Sequence, residues 1–376
     1  MHTPDSPPSR AARTPERSTT AALGTDLDER QGDPDPLPGL GEPTPKRTGA
    51  AGRRVGGLVA ALVLLLVFVV LSLAVGARAM SLGDAWRGLV DSGSPEYTVV
   101  HEMRLPRTLM GLVAGVALGL AGGVIQALTR NPIADPGLLG INSGASAAVV
   151  SAISFLGVTT FSGYVWFSFA GAAVVSALVY AVGGGRGATP ARLALAGTAV
   201  QAALYAYVNA VILLDTGALD RMRFWSVGSL ASAQPDMVAQ VTPFVVAGLL
   251  LAFALARPLN AMALGDDAAR ALGTNTTRVR VVAIVAVTLL CGAATAACGP
   301  IIFVGLMVPH LVRALTGPDL RWLLPYCAVL APVLLLAADV IGRVVARPSE
   351  VQVGVVTAVL GGPLFLYFVR RKAVRA

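Results

Sequence analysis

The stretch that most constrains this chain runs from Arg104 to Ser146: RLPRTLMGLVAGVALGLAGGVIQALTRNPIADPGLLGINSGAS. Its middle is apolar for about 20 residues, enough to cross a hydrocarbon core as a helix. Gly111, Gly115, Gly119 and Gly123 fall at every fourth position, so on a helix they share one face. In lipid, burial of apolar surface cannot drive helices together. A face without side chains instead lets a second backbone come close. The pattern predicts a tightly packed spanning helix. Asn131-Pro132 stops it, Asp135-Pro136-Gly137 breaks the chain again, and another apolar run follows. The chain packs, turns on a rigid polar corner and re-enters the membrane.

Composition extends that reading to the whole chain. Of 376 residues 55% are hydrophobic and 13% charged, about half the charge of a soluble domain. The fold class is an all-α polytopic membrane protein. A net charge of +8 would suit nucleic acid, but the basic residues sit at the ends of apolar runs, where orientation signals sit. No nucleic-acid partner is expected. Cys291, Cys298 and Cys327 lie in apolar segments and read as small buried residues. His2, His101 and His310 are too scattered for a metal cluster, so neither a cofactor nor a metal is expected.

Residues 1–54 form the first region, a cytoplasmic tail. It is rich in Pro, Ser, Thr, Gly and charge and poor in large apolar side chains, so it is expected to be disordered. Residues 55–376 form the second region, with about ten spans. They fall near 57–77, 105–128, 138–157, 163–182, 192–214, 237–256, 281–297, 301–315, 322–342 and 353–370. Ser81 is placed as the N-cap of a short surface helix through Leu89. An even number of spans puts both termini on one side. More of the Lys and Arg flank that side, which makes it the cytoplasmic one.

Two polar places stand out. The loop 257–280, RPLNAMALGDDAARALGTNTTRVR, carries a slim alanine-rich segment. Asp266 is expected to cap a short helix there and Gly273 to end it. Read as a docking element, this helix fits a groove on a cytoplasmic partner; read blandly, it is a solvated loop. At the other side, Arg104 and Arg107 open the second span and Arg343 sits near the end of the ninth. An external basic patch for acidic side chains of a partner is one reading, because the guanidinium fork binds carboxylates bidentately. Snorkelling to lipid headgroups and an Asp339–Arg343 pair one turn apart are the others. Gln126, Asn142, Gln201, Asn209 and Thr295 are polar within spans and are expected mostly to bond between helices. The chain has no G-x-x-x-x-G-K-[ST] phosphate loop, so it is not expected to hydrolyse ATP.

The 104–145 stretch resembles the signature of the FecCD family, the permeases of ABC importers for ferric siderophores, haem and vitamin B12. So do LNAMALGDDAARALGTN, GPIIFVGLMVPHLVRALTGPDLRWLLP, and ADVIGR followed by VGVVTAVLGGPLFLYFVRR. The resemblance covers about 58–372. It implies a vitamin B12 importer-like, type II ABC importer permease fold in the cytoplasmic membrane. It implies pairing with a second permease subunit, its own copy or a paralogue, around one pathway whose gate falls at about 196–230. ATP-binding cassette subunits are implied on the cytoplasmic face, and an extracytoplasmic substrate-binding protein outside. By the same resemblance, Leu264, Gly265, Asp266, Ala269, Arg270, Leu272 and Gly273 form the coupling segment that meets the ATPase. Arg104, Arg107 and Arg343 meet acidic residues of the binding protein. The implied cargo is a ferric siderophore, with cobalamin or haem as alternatives; a stand-alone secondary transporter is the competing class.

Overall fold

The computed structural model describes residues 48–76, 80–158, 160–185 and 189–373. Most of the expected tail, together with Arg78 and Arg186, lies outside them. The described regular structure is helical throughout: α1 Thr48–Ala74, α2 Leu82–Val90, α3 Leu105–Leu128, α4 Ile141–Leu156, α5 Phe161–Val182, α6 Pro190–Leu214 and α7 Thr216–Trp225. They are followed by α8 Pro235–Ala254, α9 Ala256–Met262, α10 Asp266–Ala271, α11 Thr276–Cys298, α12 Val304–Thr316, α13 Leu320–Val345 and α14 Val353–Ala373. Seven of these helices are long and apolar enough to span a membrane: α1, α3, α5, α6, α8, α11 and α13. Three shorter apolar helices, in α4, α12 and α14, complete the ten expected spans.

α3 is the axis of the bundle. Its most apolar window is 78% buried, against 17% for α1 and for α6. The glycine face explains how. A Cβ at Gly115 would lie 2.5 Å from Pro332 Cα, and one at Gly119 would lie 2.6 Å from Cys327 O. Gly111 faces Leu336 and Gly123 faces Leu324. All four positions therefore seat α13. Gly122, just off that face, lets the Gly305 backbone of α12 approach, which the every-fourth-residue pattern does not reveal. The corner after α3 folds back deeply. Pro136 packs against Gly305, and the Leu138 carbonyl lies against Gly197 of α6. The polar turn is thus wedged among helices, with Asp135 accepting from the Gly137 N–H at 2.7 Å.

The start of the first span differs from expectation. α1 begins at Thr48 rather than 57 and runs through residue 54, because Ala and Arg are good helix formers once the apolar run has nucleated the helix. The Tyr326 hydroxyl donates to the Arg54 carbonyl at 2.6 Å, fixing this early part. The surface helix α2 starts where expected: Ser81 Oγ accepts from Asp84 N and the Asp84 carboxylate accepts from Ser81 N, a reciprocal cap.

Candidate functional site: a charged anchor at each end of the bundle

One end gathers the last turn of α1, the first of α3 and the last of α13. A wide π-helical turn, Val99–Arg104, leads into α3 and sets Arg104 and Arg107 on its first turn. Arg104 is 5% exposed, and its Nη1 donates to the Leu73 and Ala74 carbonyls at 2.6 and 2.7 Å. Arg343, 2% exposed, donates to the Ser72 and Val75 carbonyls, both at 2.9 Å, and to Ser72 Oγ. Arg347 donates to the Gly76 carbonyl at 2.8 Å. Five consecutive carbonyls at the end of α1 thus accept from three guanidiniums. These are the groups a helix leaves without internal partners, at the negative end of its dipole.

Asp339 binds this cluster together. It accepts from Arg107 at 2.8 Å and from Arg343 at 2.8 Å, and its side chain is 1% exposed. The pairing between Asp339 and Arg343 expected one turn apart is present, with Arg107 as a second partner. Arg107 also donates to Glu350 at 2.7 Å, and Glu350 is 30% exposed. Of the three arginines expected to form an open patch, Arg104 and Arg343 therefore point inward. Only Arg107 reaches a partly exposed carboxylate. Buried guanidiniums need acceptors, and α1 supplies them.

The other end gathers α9, α10 and the starts of α11 and α13. Asp266 does not cap α10. Gly265, at φ +109°, occupies the cap position, and Asp266 is the first helical residue. Its carboxylate instead accepts from Arg130, at the end of α3, and from Arg280, on α11. Burial disfavours the charged carboxylate, but the bonds from Arg130 and Arg280 outweigh it and hold Asp266 below the usual carboxylate range. Arg130 adopts φ +51°, a conformation L residues rarely take. The sequence singles out neither Arg130 nor Arg280 for this role, and the unusual backbone at Arg130 has no signature in residue type.

Gly273 ends α10 as expected. At φ +78° it donates to the Arg270 carbonyl, while Thr274 donates to Ala269. Ala269 is fully buried, whereas Leu264 and Leu272, flanking the helix, are 69% and 65% exposed. Arg270 pairs with Asp267 at 2.8 Å on the exposed side. α9 is tied in as well: Asn260 donates to Asp319 at 2.6 Å and accepts from Leu320 N at 3.0 Å at the start of α13. The α9–α10 unit is therefore bonded to α3, α11 and α13 together.

The polar residues within spans divide. Gln126 donates to the Leu306 carbonyl at 3.0 Å, and Asn142 accepts from Thr295 at 2.9 Å, each between helices. Gln201 and Asn209 are exposed on α6, where Asn209 bonds only to its own helix at the Tyr205 carbonyl.

Comparison with known proteins accounts for this arrangement. The family model described as "FecCD transport family" matches residues 64–371. The ferric enterobactin transport system permease protein FepD of Escherichia coli (strain K12) is 44% identical over 317 residues, 83% of this chain and 94% of that protein. The hemin transport system permease protein HmuU of Yersinia pestis is 35% identical, over 83% and 94% of the two chains. Among solved structures, a metal-chelate type ABC transporter in an inward-facing conformation superposes with a TM-score of 0.75. It is 27% identical and covers 84% of this chain and 99% of its own. A glycine-packed α3, a polar corner folded back into the bundle and a slim helix pinned at one end occupy the very segments this match spans, and the chain belongs to the FecCD transport family.

Proposed function

We propose that this chain is the membrane-spanning permease subunit of an ABC importer that takes up a ferric siderophore across the cytoplasmic membrane. Separate ATP-binding cassette subunits drive it from the cytoplasm. The carrying observation is α10. Two large apolar side chains, Leu264 and Leu272, stand exposed at its ends in an otherwise polar loop. Exposed apolar groups beside a rigidly held helix mark a protein contact. The side bearing α10 is the cytoplasmic side, with both termini, and the ATPase covers Leu264, Gly265, Arg270, Leu272 and Gly273. Asp266 and Ala269 face inward and pass its movement to α3 and α11.

The Arg104 end faces the substrate-binding protein. Arg107, paired with the partly exposed Glu350, makes the contact; Arg104 and Arg343 hold α1 and Asp339 behind it. α6 borders the pathway and the second permease subunit. It is exposed over most of its length, and Gln201, Tyr205 and Asn209 form a polar stripe at four-residue spacing. Polar side chains at such depth belong against protein or water rather than lipid. Alternating access follows if cargo affinity differs between the two states that the ATPase selects.

The ferric siderophore is favoured because FepD is 44% identical and HmuU 35%. Uptake of radio-iron as a ferric siderophore, in cells lacking only this chain, tests the cargo. Iron uptake is expected to fall while uptake of labelled cobalamin and haem is kept. Loss of cobalamin or haem uptake alone overturns the siderophore reading and keeps the importer. Iron uptake that persists without the ATPase partner overturns the importer in favour of a stand-alone carrier.

A further inference from the structure

A cavity of about 300 Å³ lies between α5 and α11, at the small end of ligand pockets, which run roughly 300–1,000 Å³. Its walls are apolar except for three hydroxyls, those of Ser176, Tyr180 and Thr288. All three oxygens are buried and, among the described residues, without a hydrogen-bond partner; Ser176 is 1% exposed. A buried hydroxyl without a partner is costly, and of the three only Tyr180 lies at the end of the cavity where a polar headgroup can supply its acceptor. The cavity is open on one side. Val281 and Val285, on its rim, are 40% and 45% exposed, as is proper for a wall that meets acyl chains.

The charge at its foot identifies the occupant. α5 and α11 run antiparallel, with Gly292 beside Phe169 and Ala172, so Tyr180 sits near the beginning of α11. Arg278, Val281, Val285 and Thr288 share one face of α11. Arg278 is exposed, one turn below Val281, and no carboxylate among the described residues pairs with it. Thr288, ten residues on, is about 15 Å deeper along the helix. A cation at the membrane surface, the Tyr180 hydroxyl below it and a largely apolar slot beneath match one amphiphile from its head to its tail.

We propose that this groove is a binding site for an anionic phospholipid of the leaflet on the α10 side. Arg278 holds the headgroup phosphate, Tyr180 donates to an ester oxygen, and one acyl chain fills the slot beside Ser176 and Thr288. A lipid in this position spans α11, whose other side carries Arg280 and through it Asp266. The site therefore couples bilayer composition to the helix that bears the α10 anchor.

The test is native mass spectrometry of the full-length chain released from nanodiscs of phosphatidylglycerol and phosphatidylcholine in equal parts. Wild type is expected to retain one phosphatidylglycerol per chain. Arg278→Gln is expected to lower that retention roughly fivefold, the loss of one surface cation. Ala177→Trp, which fills the slot from its rim, is expected to abolish it without touching the headgroup. Equal retention of the two lipids by wild type, or retention unchanged in both variants, overturns the proposal. A second copy of the chain is the rival occupant. Ala177→Cys in a chain whose native cysteines are replaced by alanine distinguishes it: disulfide-linked dimers forming in membranes overturn the lipid site, and their absence supports it.

Discussion

The two ends of the bundle use the same device under different burial. At each, one aspartate bridges two arginines drawn from separate helices: Asp339 between Arg107 and Arg343, Asp266 between Arg130 and Arg280. The Asp339 side chain is 1% exposed and the Asp266 side chain 27%. That difference decides what each can do. A fully buried ion pair is costly to open, because every separated charge must stay in a low-dielectric interior. A partly wetted one opens at little cost, because water solvates the freed charges. The Arg104 end is accordingly a fixed joint, and the α10 end is one that can open.

This contrast sets the order of expected effects. Asp339→Asn leaves the buried Arg343 guanidinium without its counter-charge and Arg107 with Glu350 alone, and is expected to cost about 3–5 kcal/mol. Thermal unfolding of the purified chain in detergent measures it, and a loss below 1 kcal/mol would break the contrast. Gly115→Leu comes next, at about 1–3 kcal/mol, because α13 must give way to the new side chain. Gly362→Ala is its control, since a Cβ there meets nothing within 4 Å.

Asp266→Asn is expected to change stability by less than about 1 kcal/mol, yet to lower transport per ATP hydrolysed roughly tenfold, in the range of allosteric coupling energies. Asp266→Glu, which keeps the charge, should retain transport. An unfolded variant would lose stability and transport together, so the split between the two readouts separates coupling from structure. The pH effect is smallest. Because the folded Asp266 carboxyl lies below its ordinary value, its contribution is complete above about pH 4. It is lost as pH falls through the folded value. A fluorophore at position 271 should gain mobility only in that acidic range, and Asp266→Asn should show the mobile signal throughout.

What could be read from the sequence follows from range. The glycine spacing of α3, the Ser81 cap, the Gly273 stop and the Asp339–Arg343 pair are written within one or two helical turns, and residue type suffices for them. The ten apolar segments are legible for the same reason. Arg130 and Asp266 are separated by 136 positions, and nothing local joins them. The same blindness applied to Arg104 and Arg343. As residues at the mouth of a span they look available to a partner; only the folded chain brings the open end of α1 against them. Gly122 escaped because it seats α12 from a face adjacent to the patterned one.

The hold on α1 bears on how the protein is made. Arg343 lies 271 positions after Ser72, the carbonyl it grips. At a synthesis rate of about 5–20 residues per second, its arrival lags α1 by tens of seconds. For that interval the first helix is held at this end by Arg104 but lacks the grip of Arg343 and Arg347. Its mean hydropathy of 3.0, above that of the other six long spans, is what lets it wait. The first helix to be made is thus the most apolar of the long spans, and the nascent chain supplies its α13 partner late.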